Sequence, residues 1–172
     1  MRVLDSCRVS DGEAETTVTL VRPDTTDKDV ARWLIEVDLQ TFTENTWSEH
    51  TAQAVARFGA VFLLRAEGLV IGTAACVRAH DEPDTAVLLS MGLMPGWRGR
   101  GLGQWMIGGV MRSLADDGAA AVTLQTSSRS ARARKVYEDV GFVVIEMGEL
   151  EIDGERDLVL RATLPRAEAS VA

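Results

Sequence analysis

Cysteine is nearly absent from this chain. Cys7 and Cys76 are its only two, too few and too far apart for a disulfide framework or a zinc site. Histidine is as scarce: His50 and His80 stand isolated, so no metal constellation is expected. Long apolar runs are missing as well. The stretch from Gly59 to Leu64 is cut by Arg65 and far too short to span a bilayer. The opening residues, Met1 to Glu13, lack the apolar run of a signal peptide. A cytoplasmic protein with no membrane partner follows as the expectation. Positive charge is not in excess either. The formal net charge of −8 argues against nucleic acid or an anionic membrane as the main partner.

What remains is an ordinary globular supply. With 172 residues, 46% of them hydrophobic and 26% charged, the chain can bury one proper core. No repeat and no linker divides it. We expect an N-terminal arm or added strand over residues 1–15, a single domain over 16–164 and a frayed tail over 165–172.

Within the domain, Thr16–Arg22 is β-branched and alternating, which reads as a strand. Thr26 and Asp29 form a capping box before Val30, Trp33, Leu34 and Val37, which recur at helical spacing. A shorter helix is expected at Ser48–Phe58. Two strands meet at Glu67-Gly68, a tight-hairpin signal, and a mostly apolar strand runs from Thr85 to Met94. A helix follows with Met106, Ile107, Val110, Met111 and Leu114 on one face, stopped at Asp116-Asp117-Gly118. Then come a strand ending at Thr126, a helix over Arg129–Val140 with Gly141 at its C-cap, and two strands around Asp153-Gly154. The order is β–α–α–β–β–β–α–β–α–β–β, a mixed α/β pattern with one strand–helix–strand crossover at its centre.

The chemistry should sit at that crossover. Arg98-Gly99-Arg100-Gly101-Leu102-Gly103 follows a strand and opens a helix. The first N–H groups of a helix lack intrahelical partners and carry partial positive charge. Glycines let the backbone approach an anion, and the arginines add forked donors. A pyrophosphate is the natural guest. The spacing G-x-G-x-G fits neither the dinucleotide fingerprint nor a P-loop, which would need Gly-Lys-Ser/Thr.

R-x-x-G-x-G after an apolar strand resembles the acetyl-CoA signature of the GNAT N-acetyltransferase family. A second stretch, Ser130 to Phe142, is similar to that family's N-x-x-A-x-x-L-Y-x-x-x-G-F, with Ala133, Val136, Tyr137, Gly141 and Phe142 on the pattern. The resemblance implies a fold in which a central parallel strand pair splays within an otherwise antiparallel sheet flanked by helices. It implies acetyl-CoA as co-substrate and a small-molecule or peptide amine as acceptor. A homodimer also stays open, since such domains often pair. Backbone groups of Met91 and Leu93 would pair with the pantetheine arm. The amides from Gly99 to Gly103, Leu102 included, would hold the pyrophosphate with Arg98 and Arg100, and Ser130 and Ala133 would border the cofactor. Tyr137, the only tyrosine in the chain, would serve as general acid toward the departing thiolate. Its structural alternative is a core aromatic on an amphipathic helix.

Two departures stand out. Ser130 replaces the family's asparagine. Val87 occupies the position where the histone-acetylating branch carries a glutamate base. Glu44, in the helix–helix loop, is a weaker candidate for that base, and Glu49 weaker still. The missing glutamate keeps a second reading open, a non-catalytic acyl-CoA-binding sensor or partner module. In the cluster Arg129, Arg132, Arg134 and Lys135, most members read as a solvated face and one as a CoA contact. Acids at Asp81, Glu82 and Asp84, from Glu146 to Glu155, and at Glu44 and Glu49 would all lie toward the acceptor end in such a fold, favouring a cationic amine.

Overall fold

The computed structural model describes residues 1–11, 14–42, 47–149, 151 and 154–165. Its elements are β1 (Arg2–Asp11), β2 (Ala14–Arg22), α1 (Val30–Thr41), α2 (Glu49–Phe58), β3 (Ala60–Ala66), β4 (Leu69–Arg78), β5 (Thr85–Leu93), α3 (Leu102–Asp116), β6 (Ala121–Ser127), α4 (Ala131–Glu138), β7 (Val143–Met147) and β8 (Asp157–Thr163). Eight strands form one sheet in the order β1-β2-β3-β4-β5-β6-β8-β7. Among the described strands only β5 and β6 are parallel; the other neighbours are antiparallel. This is the mixed α/β architecture expected from the element order.

The opening residues add a strand rather than a loose arm. β1 pairs with β2 from Arg2↔Arg22 to Asp11↔Ala14. The tail from 166 onward lies outside the described residues. Glu67 and Gly68 both take positive φ, 51° and 83°, as a two-residue hairpin between β3 and β4 requires. The expected capping box at Thr26 does not form: α1 starts at Val30 behind Asp29, whose side chain makes no cap bond. For α2 the cap is Ser48, whose hydroxyl accepts the Thr51 amide at 3.1 Å.

The sheet buries both faces. Leu20, Phe62, Leu64, Cys76, Leu88, Val122, Leu124 and Leu160 pack beneath α3 and α4, against Leu102, Met106, Ile107, Val110 and Leu114. Val21, Val61, Leu63 and Ala75 pack beneath α1 and α2, against Val30, Leu34, Val37 and Val55. The apolar stripe read from the sequence for α3 is therefore the stripe that faces the sheet. Close approach there depends on Gly109, where an added Cβ would collide with a Leu20 methyl.

The parallel pair is short. β5 and β6 stay in register from Thr85↔Ala121 to Leu88↔Leu124 and then part. A register shift against β4 between Ala75 and Cys76 leaves Leu89 as the extra residue on β5. A bulge bends and twists its strand, so β5 leaves β6 just beyond it. β6 meanwhile continues along β8 to Ser127↔Asp157. The result is a gap in the sheet that opens toward the glycine loop. Among the described residues, no helix is long and apolar enough to cross a membrane.

Candidate functional site

The gap exposes one edge of β5, and strand periodicity decides which backbone groups face it. The Met94 amide donates to Ile71 O at 2.9 Å, so Met94 points toward β4. With a period of two, Gly92 and Ser90 also point toward β4, while the N–H and C=O groups of Met91 and Leu93 face the gap. One of these is already engaged: Leu93 O accepts Arg98 Nε at 3.0 Å and the Thr41 hydroxyl at 3.5 Å.

Beyond β5, a 3-10 turn at Pro95–Trp97 leads into the glycine loop. Gly99 and Gly101 take φ of 78° and 75°, the left-handed region that favours glycine. An added Cβ at either would meet no atom of a described residue within 4 Å, so the loop leaves an open cradle. Trp105 N–H makes the bond to Gly101 O at 3.1 Å that opens α3. The amides of Gly99, Gly101, Leu102, Gly103 and Gln104 donate to no described residue. These unpaired donors at the positive end of a fifteen-residue helix form a pocket suited to phosphate.

β5, the loop and α4 enclose a cleft of about 520 Å³ lined by Met91, Leu93, Arg98, Gly99, Gly101, Gly103, Ser130, Ala133 and Tyr137 among others. Most of the residues read from the sequence as cofactor contacts thus converge. Arg100 and Leu102 do not line it. Arg100 lies over the Trp97 ring at 5.3 Å and donates to Gly96 O at 3.2 Å. The Leu102 side chain is in the core, 2% exposed, and only its amide can serve. Glu44 lies outside the described residues.

The sequence reading missed Thr41, Phe42 and Gln104, which also line the cleft. Gln104 follows the last loop glycine, a signal that was available. Thr41 and Phe42 arrive from the end of α1, and no local pattern marks them.

Of the four cations on and before α4, three are partnered. Arg129 meets Glu155 at 3.4 Å, Arg134 meets Glu138 at 3.8 Å and Lys135 meets Asp139 at 3.1 Å. Arg132 lines the cleft without an ion-pair partner among the described residues.

Tyr137 is 8% exposed and packs edge-on against Phe142, ring centroids 5.6 Å apart. No described residue hydrogen-bonds its hydroxyl, and that oxygen is not among the enclosed polar atoms, so it remains open to the cleft. Burial, then the nearby Cys76, push its pKa up to about 12. Burial likewise lifts the Cys76 thiol to about 12, against the pull of Arg22.

Both groups are neutral when protonated, and their ordinary values are 10.0 and 9.0. Their contribution to stability is therefore complete below the lower value and is lost as pH rises through this window. The unfolding free energy from urea titration should fall between about pH 9 and about pH 12, by up to roughly 1.4 kcal/mol per pH unit for each ionising group. Cys76→Ala should flatten the early part of that slope. A free energy constant across the window would contradict the burial argument.

The acidic segments do not all gather at one end. Asp81, Glu82 and Asp84 precede Thr85, which pairs with Ala121 at the closed end of the parallel pair, away from the gap. Glu82 is moreover bound by Arg161 at 2.7 Å and the Thr85 hydroxyl at 2.9 Å, which hold its carboxyl below the usual range. The segment before β8 does reach the open end, where Glu155 accepts the Ser127 hydroxyl at 2.5 Å. Asp81, Glu82 and Asp84 thus lie away from the gap and Glu155 at its end of the sheet, while Glu44 is outside the described residues.

Comparison with known proteins agrees with this geometry. Residues 23–142 match the model of the acetyltransferase (GNAT) family. An uncharacterised N-acetyltransferase of Mycobacterium tuberculosis is 29% identical over 85 residues, 49% of this chain and 53% of that protein. The match thus spans about half the length of that curated relative. The ribosomal-protein-S18-alanine N-acetyltransferase of Escherichia coli has the same fold, with a TM-score of 0.74 at 20% identity over 90% of this chain and 99% of that one. A Bacillus anthracis acetyltransferase solved with acetyl coenzyme A superposes with a TM-score of 0.57 at 17% identity, over 63% of this chain and 64% of the other.

Proposed function

Because the chain belongs to the acetyltransferase (GNAT) family, we propose that it moves an acetyl group from acetyl-CoA to a primary amine by direct attack. One observation carries the reading: unpaired loop amides, the free edge of β5 and the Tyr137 hydroxyl converge on one cleft. The open cradle at Gly99 and Gly101 fits a pyrophosphate, since no described residue occupies it. The backbone of Met91 and the Leu93 amide would take the pantetheine arm as a further strand, and Ser130 and Ala133 would border it.

The acetyl thioester supplies the electrophile. The chain's part is to orient it and to stabilise the departing sulfur. A hydroxyl with pKa near 12 stays protonated throughout the working range, so Tyr137 is always ready to donate. Complete transfer to a thiolate of ordinary pKa, about 8.5, is uphill by roughly 3.5 pKa units. Tyr137 therefore acts chiefly as a hydrogen-bond donor as charge builds on sulfur, and the proton that the attacking amine nitrogen must shed ends on the departing thiolate. No carboxylate lines the described cleft, which suits an amine that arrives neutral or loses its proton through water. The two free cysteines accord with a reducing, cytoplasmic setting. A second copy would pair along β7, an edge strand on which Val143, Val144, Ile145 and Met147 are all exposed.

Arg132 is the cation we assign to the cofactor's phosphates. Arg132→Ala should raise the KM for acetyl-CoA about tenfold with kcat nearly unchanged, the scale of a charge-assisted hydrogen bond. An unchanged KM would return Arg132 to the solvated face.

Val87, at the position where the histone-acetylating branch carries a glutamate, also supports the second reading, an acyl-CoA sensor without turnover. Calorimetric titration with acetyl-CoA, followed by a panel of polyamines, aminoglycosides, arylamines, amino acids and basic peptides scored by thiol release, separates the two. Binding with turnover establishes the enzyme. Binding without thiol release establishes the sensor, and a folded protein that does not bind acetyl-CoA removes both.

A further inference from the structure

Helix α1 ends without a cation of its own. Its last turn contains no basic residue, so its terminal carbonyls carry partial negative charge that no side chain of the helix offsets. Arg98, 57 positions away, supplies the cation: its Nη2 donates to Thr41 O at 3.1 Å. The Nε of the same guanidinium donates to Leu93 O at 3.0 Å, on the β5 edge that faces the gap. The Thr41 hydroxyl reaches that same oxygen at 3.5 Å. Its side chain also lies so close to β5 that a Cβ on Gly92 would be 2.9 Å from the Thr41 methyl. One guanidinium thus joins the end of α1, the end of β5 and the first turn of the glycine loop. All three elements contribute to the wall of the cleft.

We propose that Arg98 is a positioning residue that clamps the end of α1, with Phe42, onto the cofactor strand and so shapes the acceptor side of the cleft. On this assignment the phosphates belong to the free loop amides and Arg132, and Arg98 does not hold them. The planar fork is what allows Arg98 to serve two carbonyls from different elements at once; a lysine ammonium is a point charge on a flexible stem and can hold only one well. The kinetic side of this inference rests on the acetyl-transfer reading. The structural side does not.

The test compares the wild type with Arg98→Gln and Arg98→Lys. Hydrogen exchange without any ligand should be faster in Arg98→Gln at the amides of the last turn of α1, with Phe42 foremost because its amide bonds Asp38 O at 2.9 Å. Exchange in the middle of α3 should not change, and Arg98→Lys should fall between. With the amine that the wild type acetylates fastest, Arg98→Gln should raise the acceptor KM about tenfold. Its acetyl-CoA Kd should stay within about twofold. The opposite split, a weakened Kd with an unchanged acceptor KM, would make Arg98 a phosphate ligand and overturn the proposal. Unchanged exchange at the end of α1 would overturn it as well. A wild type that binds no acetyl-CoA refutes the acetyl-transfer reading instead, and the exchange measurement still decides the clamp.

Discussion

Tyr137→Phe is expected to lower kcat by about 10²-fold or more and to leave acetyl-CoA affinity nearly unchanged, the usual scale for losing a positioned proton donor. The substitution is clean for structural reasons. The ring stays, and with it the edge-on contact to Phe142. No described residue bonds the hydroxyl, so its removal orphans no buried partner among them. The variant should therefore melt within a degree or two of the wild type, and the loss should fall on the chemical step. Because burial holds the hydroxyl near pKa 12, the wild-type pH profile should show no loss of activity from Tyr137 ionisation below about pH 10. Thiol release followed across that range gives both numbers. A kcat equal to that of the wild type would take Tyr137 out of the mechanism and leave it as a core aromatic.

Gly103→Glu should weaken acetyl-CoA binding by 10²-fold or more while the protein stays folded, a separation set by the local geometry. Gly103 lies in the first turn of α3 with no positive φ. A Cβ there meets Val136 at 3.6 Å and Leu93 at 3.8 Å, ordinary contact distances. A carboxylate near a helix N-terminus is favourable to the helix by about 0.3–1 kcal/mol. The same carboxylate occupies the cradle and repels a pyrophosphate, so the ligand bears the whole penalty. Gly101 would be a poor choice for this experiment, since its φ of 75° would strain any side chain. Calorimetry reads the affinity and a thermal melt checks the fold. A folded Gly103→Glu protein that binds acetyl-CoA as the wild type does would move the phosphate site away from the glycine loop.

Much of the fold was legible because its signals are local. The two-residue hairpin at Glu67-Gly68, the apolar stripe of α3 and the stop at Gly118 each follow from the residues that form them. So did the loop from Gly99 to Gly103 and the placement of Tyr137 on α4, because sequence spacing alone carries both motifs. The family match over residues 23–142 agrees with those motifs. The pairing of β1 was not legible, since an edge strand has no local mark that distinguishes it from an extended arm. Nor was the insertion of β8 between β6 and β7, which depends on which strand reaches the sheet rather than on either strand's pattern.

The candidate site divides in the same way. The sequence by itself determined which backbone could cradle an anion, because glycine spacing and the start of a helix are properties of neighbouring residues. It left a single tyrosine to propose as the proton donor, because the chain has no other. Only the tertiary structure decided where the long cations go. Arg98 turns to Thr41 and Leu93, Arg100 to Gly96 and Trp97, and Arg129 to Glu155, leaving Arg132 in the cleft. A flexible guanidinium settles on whichever carbonyls, carboxylates or rings the fold brings within reach, and those partners lie tens of residues away in the chain.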